Sequence, residues 1–180
     1  MIRLCSNSST RAKLLKDAGI EFVQSGVDFD EDSINAKTPK EFVYKATLGK
    51  YKRAKELFDL TTPILVADTV VTSGGKILRK AKDKKDAKKI LLLQSGSITS
   101  IITCTIYERK ELFFLDISST DYIFDEFDKD KLEEFLQSGE WMGKAGACMV
   151  EGFCKPYIKE VKGLESNAMG LPVEKIVGFL

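Results

Sequence analysis

The sequence predicts an α/β fold with a mixed sheet, on three observations. Apolar strand-like runs alternate with segments of helical periodicity. Ile64-Leu65-Val66-Ala67 is apolar throughout, as in a strand buried on both faces. The middle of the chain is rich in β-branched and aromatic residues.

Taken in order, residues 2–5 form a short apolar strand, and Ser6 to Ser9 lead into a helix over Arg11 to Ala18 that Gly19 ends. Glu21 to Val27 alternates as a strand, and Asp28 to Asp32 is an acidic loop. Thr38-Pro39-Lys40-Glu41 combines a capping box with proline at N1, so a long helix follows to about Phe58. The run opened by Pro63 ends at Asp68, at the expected carboxyl end of a strand. Val70 to Thr72 and Lys76 to Leu78 flank the turn Ser73-Gly74-Gly75 as a hairpin. Asp83 with Asp86 caps a helix to Leu93, closed by Gly96.

Residues 98–107 and 112–123 read as a long antiparallel pair joined by Glu108 to Glu111, and Asp128 caps a helix to about Gln137. A turn at Gly143 to Gly146, strands near Ala147 to Val150 and Tyr157 to Val161, and a short helix after Pro172 complete the chain. The 180 residues lack repeats, low-complexity tracts and clear linkers, so one domain over residues 1–180 is expected.

Composition narrows the chemistry. A net charge of +1 supplies no general field for a polyanion, which disfavours a nucleic-acid scaffold. The start has no secretory pattern and no stretch is long and apolar enough to span a membrane, so a cytoplasmic location is expected. The four cysteines include no C-x-x-C pair and read as reduced, mostly structural thiols. There is no histidine, which removes Ser-His and Cys-His nucleophile pairs and His-ligated zinc. Carboxylates, lysines, hydroxyls and a hard metal remain.

Two segments could carry such chemistry. Ser6-Asn7-Ser8-Ser9-Thr10-Arg11 places hydroxyls and a guanidinium at a helix start, where unpaired N–H groups favour an anion; a plain N-cap accounts for the same residues. Asp68, with Glu31 as a partner if the fold joins them, could hold Mg²⁺ or activate water; from spacing alone a turn cap and a solvated glutamate are the simpler account of the same residues. Lys50 and Lys80 are available as point charges for phosphate. The Lys-rich run from Arg79 to Lys89 reads as a solvated helix face. Ser73-Gly74-Gly75-Lys76 lacks the spacing of a phosphate loop.

In this order the segments resemble the Maf family of nucleoside triphosphate pyrophosphatases over nearly the whole chain. Ser6, Ser8 and Arg11 match A-S-x-S-P-R-R, with Ser9 at the usual proline and Thr10 at the first arginine. Asp30-Glu31 resembles the acidic pair, Lys50 the helix lysine, Asp68-Thr69-Val70-Val71 the D-T-V-V block, and Lys80 the lysine of a K-P step whose proline is Ala81 here. Ser95-Gly96 with Thr103 resembles the S-G…T segment, Thr99 standing where many members have histidine. Lys144-Ala145-Gly146-Ala147 matches K-A-G-A, and Asn167 to Pro172 resembles S-N-V-V-G-L-P.

The resemblance implies a Maf/ITPase-like elongated mixed sheet flanked by helices, with two lobes around a central cleft. It implies cleavage of a nucleoside triphosphate between the α and β phosphates, with Asp68 as general base or metal-linked activator of water. Glu31 and Asp68 would hold the metal, Mg²⁺ or Mn²⁺, and Ser6, Ser8, Arg11, Lys50 and Lys80 the substrate. Thr10, Thr69 and Glu151 fall at specificity positions, and a homodimer is common.

Glu151-Gly152 stands where the pyrimidine-selective branch has Gln-Gly. An ionised glutamate only accepts hydrogen bonds, which suits the N1–H and amine of guanine. Glu151, Thr10 and the missing histidine resemble the 7-methyl-GTP-hydrolysing branch, whereas Thr69 departs from it. The expectation is therefore a purine or 7-methyl-GTP preference. The alternatives are a dTTP/UTP pyrophosphatase, a non-catalytic nucleotide-binding regulator of septum formation, and an α/β domain without ligand.

Overall fold

A computed structural model describes residues 1–148 and 150–179. Its strands are β1 (Ile2–Leu4), β2 (Phe22–Gln24), β3 (Ile64–Ser73), β4 (Lys76–Ile77), β5 (Ile98–Arg109), β6 (Leu112–Phe124) and β7 (Ile158–Lys162). The main helices are α1 (Ser9–Asp17), α2 (Pro39–Leu57), α3 (Lys84–Gln94) and α4 (Lys129–Ser138), followed by the short α5 (Glu165–Ala168) and α6 (Val173–Ile176). The strands form a seven-stranded sheet in the order β2-β1-β3-β5-β6-β7, with β4 paired to β3. β1 runs parallel to β2 and β3, whereas β4 and β7 are antiparallel to their neighbours, so the sheet is mixed as expected.

The chain divides into two compact units. The first comprises Met1–Thr69, Ile102–Ser119 and the residues from Leu164 onward; the second comprises Val70–Ile101 and Thr120–Gly163. In the first unit the strand pleat sorts side chains onto two cores. Leu65 and Ala67 of β3 join Ile2, Leu4, Leu14, Leu15, Tyr107, Leu171 and Ile176 on the α1 and α6 face. Ile64 and Val66 join Cys5, Tyr51, Ala54 and Ile106 on the α2 face. Leu15, Leu65 and Leu171 are fully buried, each contributing ~1.5–3 kcal/mol.

Helix starts follow local chemistry. Thr38 Oγ1 accepts the Glu41 N–H at 3.1 Å, while Glu41 reaches back to the Lys37 N–H at 2.8 Å. Asp83 caps α3 through the Asp86 N–H, and Asp128 caps α4 through the N–H groups of Asp130 and Lys131. In the second unit, Gly74 and Gly75 both take positive φ, as a two-residue hairpin turn requires.

Three expectations need correction. β3 runs unbroken from Ile64 to Ser73, so Asp68 lies inside the strand, not at its carboxyl end. The β-branched run Thr69-Val70-Val71-Thr72 sustains extended backbone through the carboxylate. The strand expected over Glu21 to Val27 contracts to Phe22–Gln24. No strand forms among the described residues of the stretch near Ala147 to Val150, of which Met149 lies outside the description. Gly146 and Ala147 both have positive φ there, and consecutive left-handed residues reverse the chain.

The thiol expectation is also corrected in part. Cys148 and Cys154 are joined as a disulfide with Cα atoms 6.6 Å apart, the turns between them bringing the two positions together. Cys5 and Cys104 are free and buried, and burial pushes both thiols up to about 11, which keeps them protonated and inert at neutral pH.

Candidate active site

The first unit gathers most of the expected site residues around β3. Because successive strand residues face opposite sides, Asp68 continues the α2 side after Ile64 and Val66, and Thr69 continues the α1 side after Leu65 and Ala67. Two clusters result, one centred on a carboxylate and one on a guanidinium.

On the α2 side, Lys50 Nζ lies 2.6 Å from Glu31 Oε1 and 3.2 Å from Asp68 Oδ2. The pairing of Glu31 with Asp68 across distant sequence is thus made through one lysine of α2. Glu31 is positioned by packing as well as charge. It opens a short 3₁₀ turn capped by Asp30, and the nearby Phe29 ring lies against Gly49, one residue before Lys50. A Cβ at position 49 would collide with that ring, so the helix keeps glycine where the acidic loop approaches.

Asp68 is 8% exposed, and burial, the largest influence, raises its pKa. Lys50 opposes the rise, Glu31 adds to it, and Arg11 and the Thr69 N–H lower it. A buried carboxylate with an elevated pKa beside a lysine is suited to taking a proton from water.

On the α1 side, Ser8 is the N-cap, its Oγ accepting the Arg11 N–H at 3.3 Å. The capping role foreseen for the serine loop is therefore real. Ser6 Oγ accepts the Ser8 N–H at 3.2 Å and an Arg11 Nη1 proton at 3.0 Å, so its remaining capacity is as a donor. Gln24 fixes the loop backbone by donating to the Ser6 carbonyl at 2.8 Å. Arg11 also donates from Nε to the Gly170 carbonyl at 2.7 Å and from Nη2 to Thr69 Oγ1 at 3.0 Å.

Three of the five guanidinium N–H groups are thus held by neutral oxygens, and among the described residues one on each Nη stays available for an anion. Burial lowers the pKa of Arg11, opposed by the charges of Asp68 and then Glu31. Gly170 has φ +105, and a Cβ there would meet Arg11 Nε at 3.3 Å and Thr69 Oγ1 at 3.4 Å. Glycine therefore allows its carbonyl to approach the guanidinium closely.

Thr10 sits exposed on the first turn of α1. Lys80 and Glu151 belong to the second unit. There Lys80 forms an antiparallel bridge with Ala145, and Gln94 Nε2 donates to the Gly146 carbonyl at 2.7 Å, anchoring the Lys144 to Ala147 turn. Glu151 is exposed in the loop between Cys148 and Cys154, where the Phe153 ring stacks on Phe135 with centroids 4.6 Å apart. The disulfide and this stacked ring tie the loop down on either side of Gly152.

Sequence reasoning did not assign roles to Gly49, Gly170 or Thr103. Thr103 shares its strand with Thr99 and Thr105, which are buried as well, so residue type alone does not single it out.

The donor set also bears on a metal. Glu31 and Asp68 supply hard carboxylate oxygens at one ammonium group, and among the described residues no cluster of three or more His, Cys, Asp or Glu side chains occurs. Two carboxylates suit a Mg²⁺-like ion that completes its shell with water and phosphate, and do not suit a closed structural zinc site.

A family model described as Maf-like protein matches residues 1–180. A curated nucleoside triphosphate pyrophosphatase of a Nitratiruptor species is 57% identical over 178 residues, 98% of this chain and 96% of its own. One from Helicobacter pylori is 42% identical over 177 residues, 98% of this chain and 93% of its own. One from Campylobacter jejuni subsp. doylei is 35% identical over 183 residues, spanning both chains fully.

Proposed function

The chain belongs to the Maf family, and from that membership we propose that it is a nucleoside triphosphate pyrophosphatase that releases a nucleoside monophosphate and pyrophosphate. The observation that supports this reading best is Lys50 held between Glu31 and Asp68, with the half-buried Arg11 close enough to influence Asp68. That arrangement sets a base beside cations that accept phosphate charge.

In the proposed reaction Asp68 takes a proton from water, the water oxygen forms a bond to the α-phosphorus, and the bond from that phosphorus to the bridging oxygen breaks. Pyrophosphate departs with the bonding electron pair. Arg11, Lys50 and the Ser6 and Ser8 hydroxyls stabilise negative charge on the phosphates. Lys80 retains the phosphate-neutralising role that the family resemblance implies. Glu31 and Asp68 are the residues that would hold Mg²⁺ or Mn²⁺, which supplies further charge neutralisation when bound.

The base preference we propose is for purines, including N7-methylated guanine, on the acceptor chemistry of Glu151. Thr10 and Thr69 are the other proposed specificity positions. The proposed setting is cytoplasmic, with a homodimer as the proposed assembly. Among the described residues no helix is long and apolar enough to cross a membrane.

A panel of nucleoside triphosphates, including dTTP, UTP, GTP and 7-methyl-GTP, tests the reading by measuring pyrophosphate release with Mg²⁺ or Mn²⁺ and after chelation. The expected result is metal-dependent release, fastest with purines, and a shift towards UTP in Glu151→Gln. No release from any triphosphate, with nucleotide binding intact, would favour the non-catalytic regulator. Equal rates across the panel, unchanged by Glu151→Gln, would remove the base preference.

A further inference from the structure

We propose that Thr103 is a positioning residue that fixes the phosphate-binding guanidinium of Arg11 through the hydroxyl of Thr69. The inference rests on the phosphate-binding role proposed for Arg11.

The direction of each hydrogen bond in this relay follows from its end groups. The Asn167 backbone carbonyl can only accept, so the Thr103 hydroxyl donates its single proton there, at 2.9 Å. Thr103 Oγ1 can then only accept from Thr69 Oγ1, also 2.9 Å away, which directs the Thr69 proton towards Thr103. The Thr69 oxygen in turn accepts from Arg11 Nη2, which has no acceptor capacity of its own. The polarity therefore runs Arg11 to Thr69 to Thr103 to the Asn167 carbonyl, with no ambiguous rotor.

Thr103 is fully buried, on a strand in the middle of the sheet. It points to the α1 side of β5, the side of Tyr107 and Leu171. Its partner carbonyl belongs to α5, three residues before Gly170, whose own carbonyl accepts the Arg11 Nε proton. Without the Thr103 hydroxyl, Thr69 loses its acceptor and regains freedom about χ1, and the Nη2 arm of the guanidinium loses a fixed partner. The Nη1 and Nε contacts would remain, so the effect is loss of orientation and not loss of charge. Orientation is what a planar fork contributes to phosphate binding.

The experiment uses the full chain with Thr103→Val, which removes the hydroxyl at nearly constant shape, and Thr103→Ser, which keeps it. Calorimetric affinity for inorganic tripolyphosphate is measured beside kcat and KM for the best triphosphate. Thr103→Val is expected to weaken tripolyphosphate binding and raise KM by roughly fivefold to tenfold, the loss of about one oriented hydrogen bond, with kcat within about twofold. Thr103→Ser should restore both to within about twofold. In an Arg11→Met background Thr103→Val should add nothing, because its effect passes through Arg11.

Wild-type affinity in Thr103→Val, an equal defect in Thr103→Ser, or a full additional loss in the Arg11→Met background would overturn the proposal. If valine prevents folding, Thr103→Ala removes the same hydroxyl with more room and is judged by the same outcomes. Because tripolyphosphate binding needs no turnover, a wild-type chain that binds it but cleaves no triphosphate would overturn the proposed function while leaving the Thr103 test intact.

Discussion

Asp68→Asn is expected to lower kcat by ~10² or more, the range for loss of a positioned general base, with little change in KM. Asparagine keeps the shape and the local hydrogen bond from the Thr69 N–H at 3.0 Å but cannot take a proton from water. The pH profile gives a second readout. Burial raises the Asp68 pKa, so the acid limb of wild-type kcat that reports this carboxylate should be absent in the variant.

Stability should move the other way. A folded pKa above the unfolded one means that the stability gained from proton binding is complete below the unfolded value and lost as pH rises through the folded value. Above that folded value the ionised Asp68 is a cost to the fold. Asp68→Asn should melt at the wild-type temperature or higher at neutral pH, and at the same temperature in acid. Near-normal turnover, or loss of activity accompanied by unfolding, would remove Asp68 from the catalytic role.

Arg11→Lys carries the second large effect, a fall of about 10² or more in kcat/KM, although the charge is kept. The guanidinium reaches Ser6, Thr69 and Gly170 from three different nitrogens, each bond between 2.7 and 3.0 Å. A lysine ammonium is one centre and cannot occupy those positions while also presenting two parallel donors to a phosphate. Two charge-assisted bonds at about 1.5 kcal/mol or more each account for the predicted loss. Steady-state kinetics at varied triphosphate check it. Recovery to within about tenfold of wild type would show that charge alone suffices and that the fork geometry is incidental.

Much of the fold is written in local patterns. Thr38-Pro39 with Glu41, Asp83 with Asp86, and Asp128 each start a helix where side-chain oxygens meet backbone N–H groups, a contact confined to adjacent residues. Asp68 misled the strand boundary because a polar residue usually ends an apolar run, whereas this one turns towards Lys50 and needs no solvent-facing turn. Ala147 defeated the expected strand through backbone conformation at an ordinary residue type.

The site was legible as residue types but not as an arrangement. Ser6, Arg11, Glu31, Lys50 and Asp68 were expected, yet their partnership depends on which face of β3 each meets, a property of packing between distant segments. Arg11 and Gly170 are 159 positions apart, and Lys50 and Glu31 are 19. The Cys148–Cys154 link was equally unreadable, since six residues of separation do not reveal whether intervening turns bring the ends together.

Attack at the α-phosphorus is checked by hydrolysis in ¹⁸O-labelled water followed by ³¹P NMR. One labelled oxygen is expected in the nucleoside monophosphate, with unlabelled pyrophosphate. Label in pyrophosphate, or release of inorganic phosphate with a nucleoside diphosphate, would contradict it.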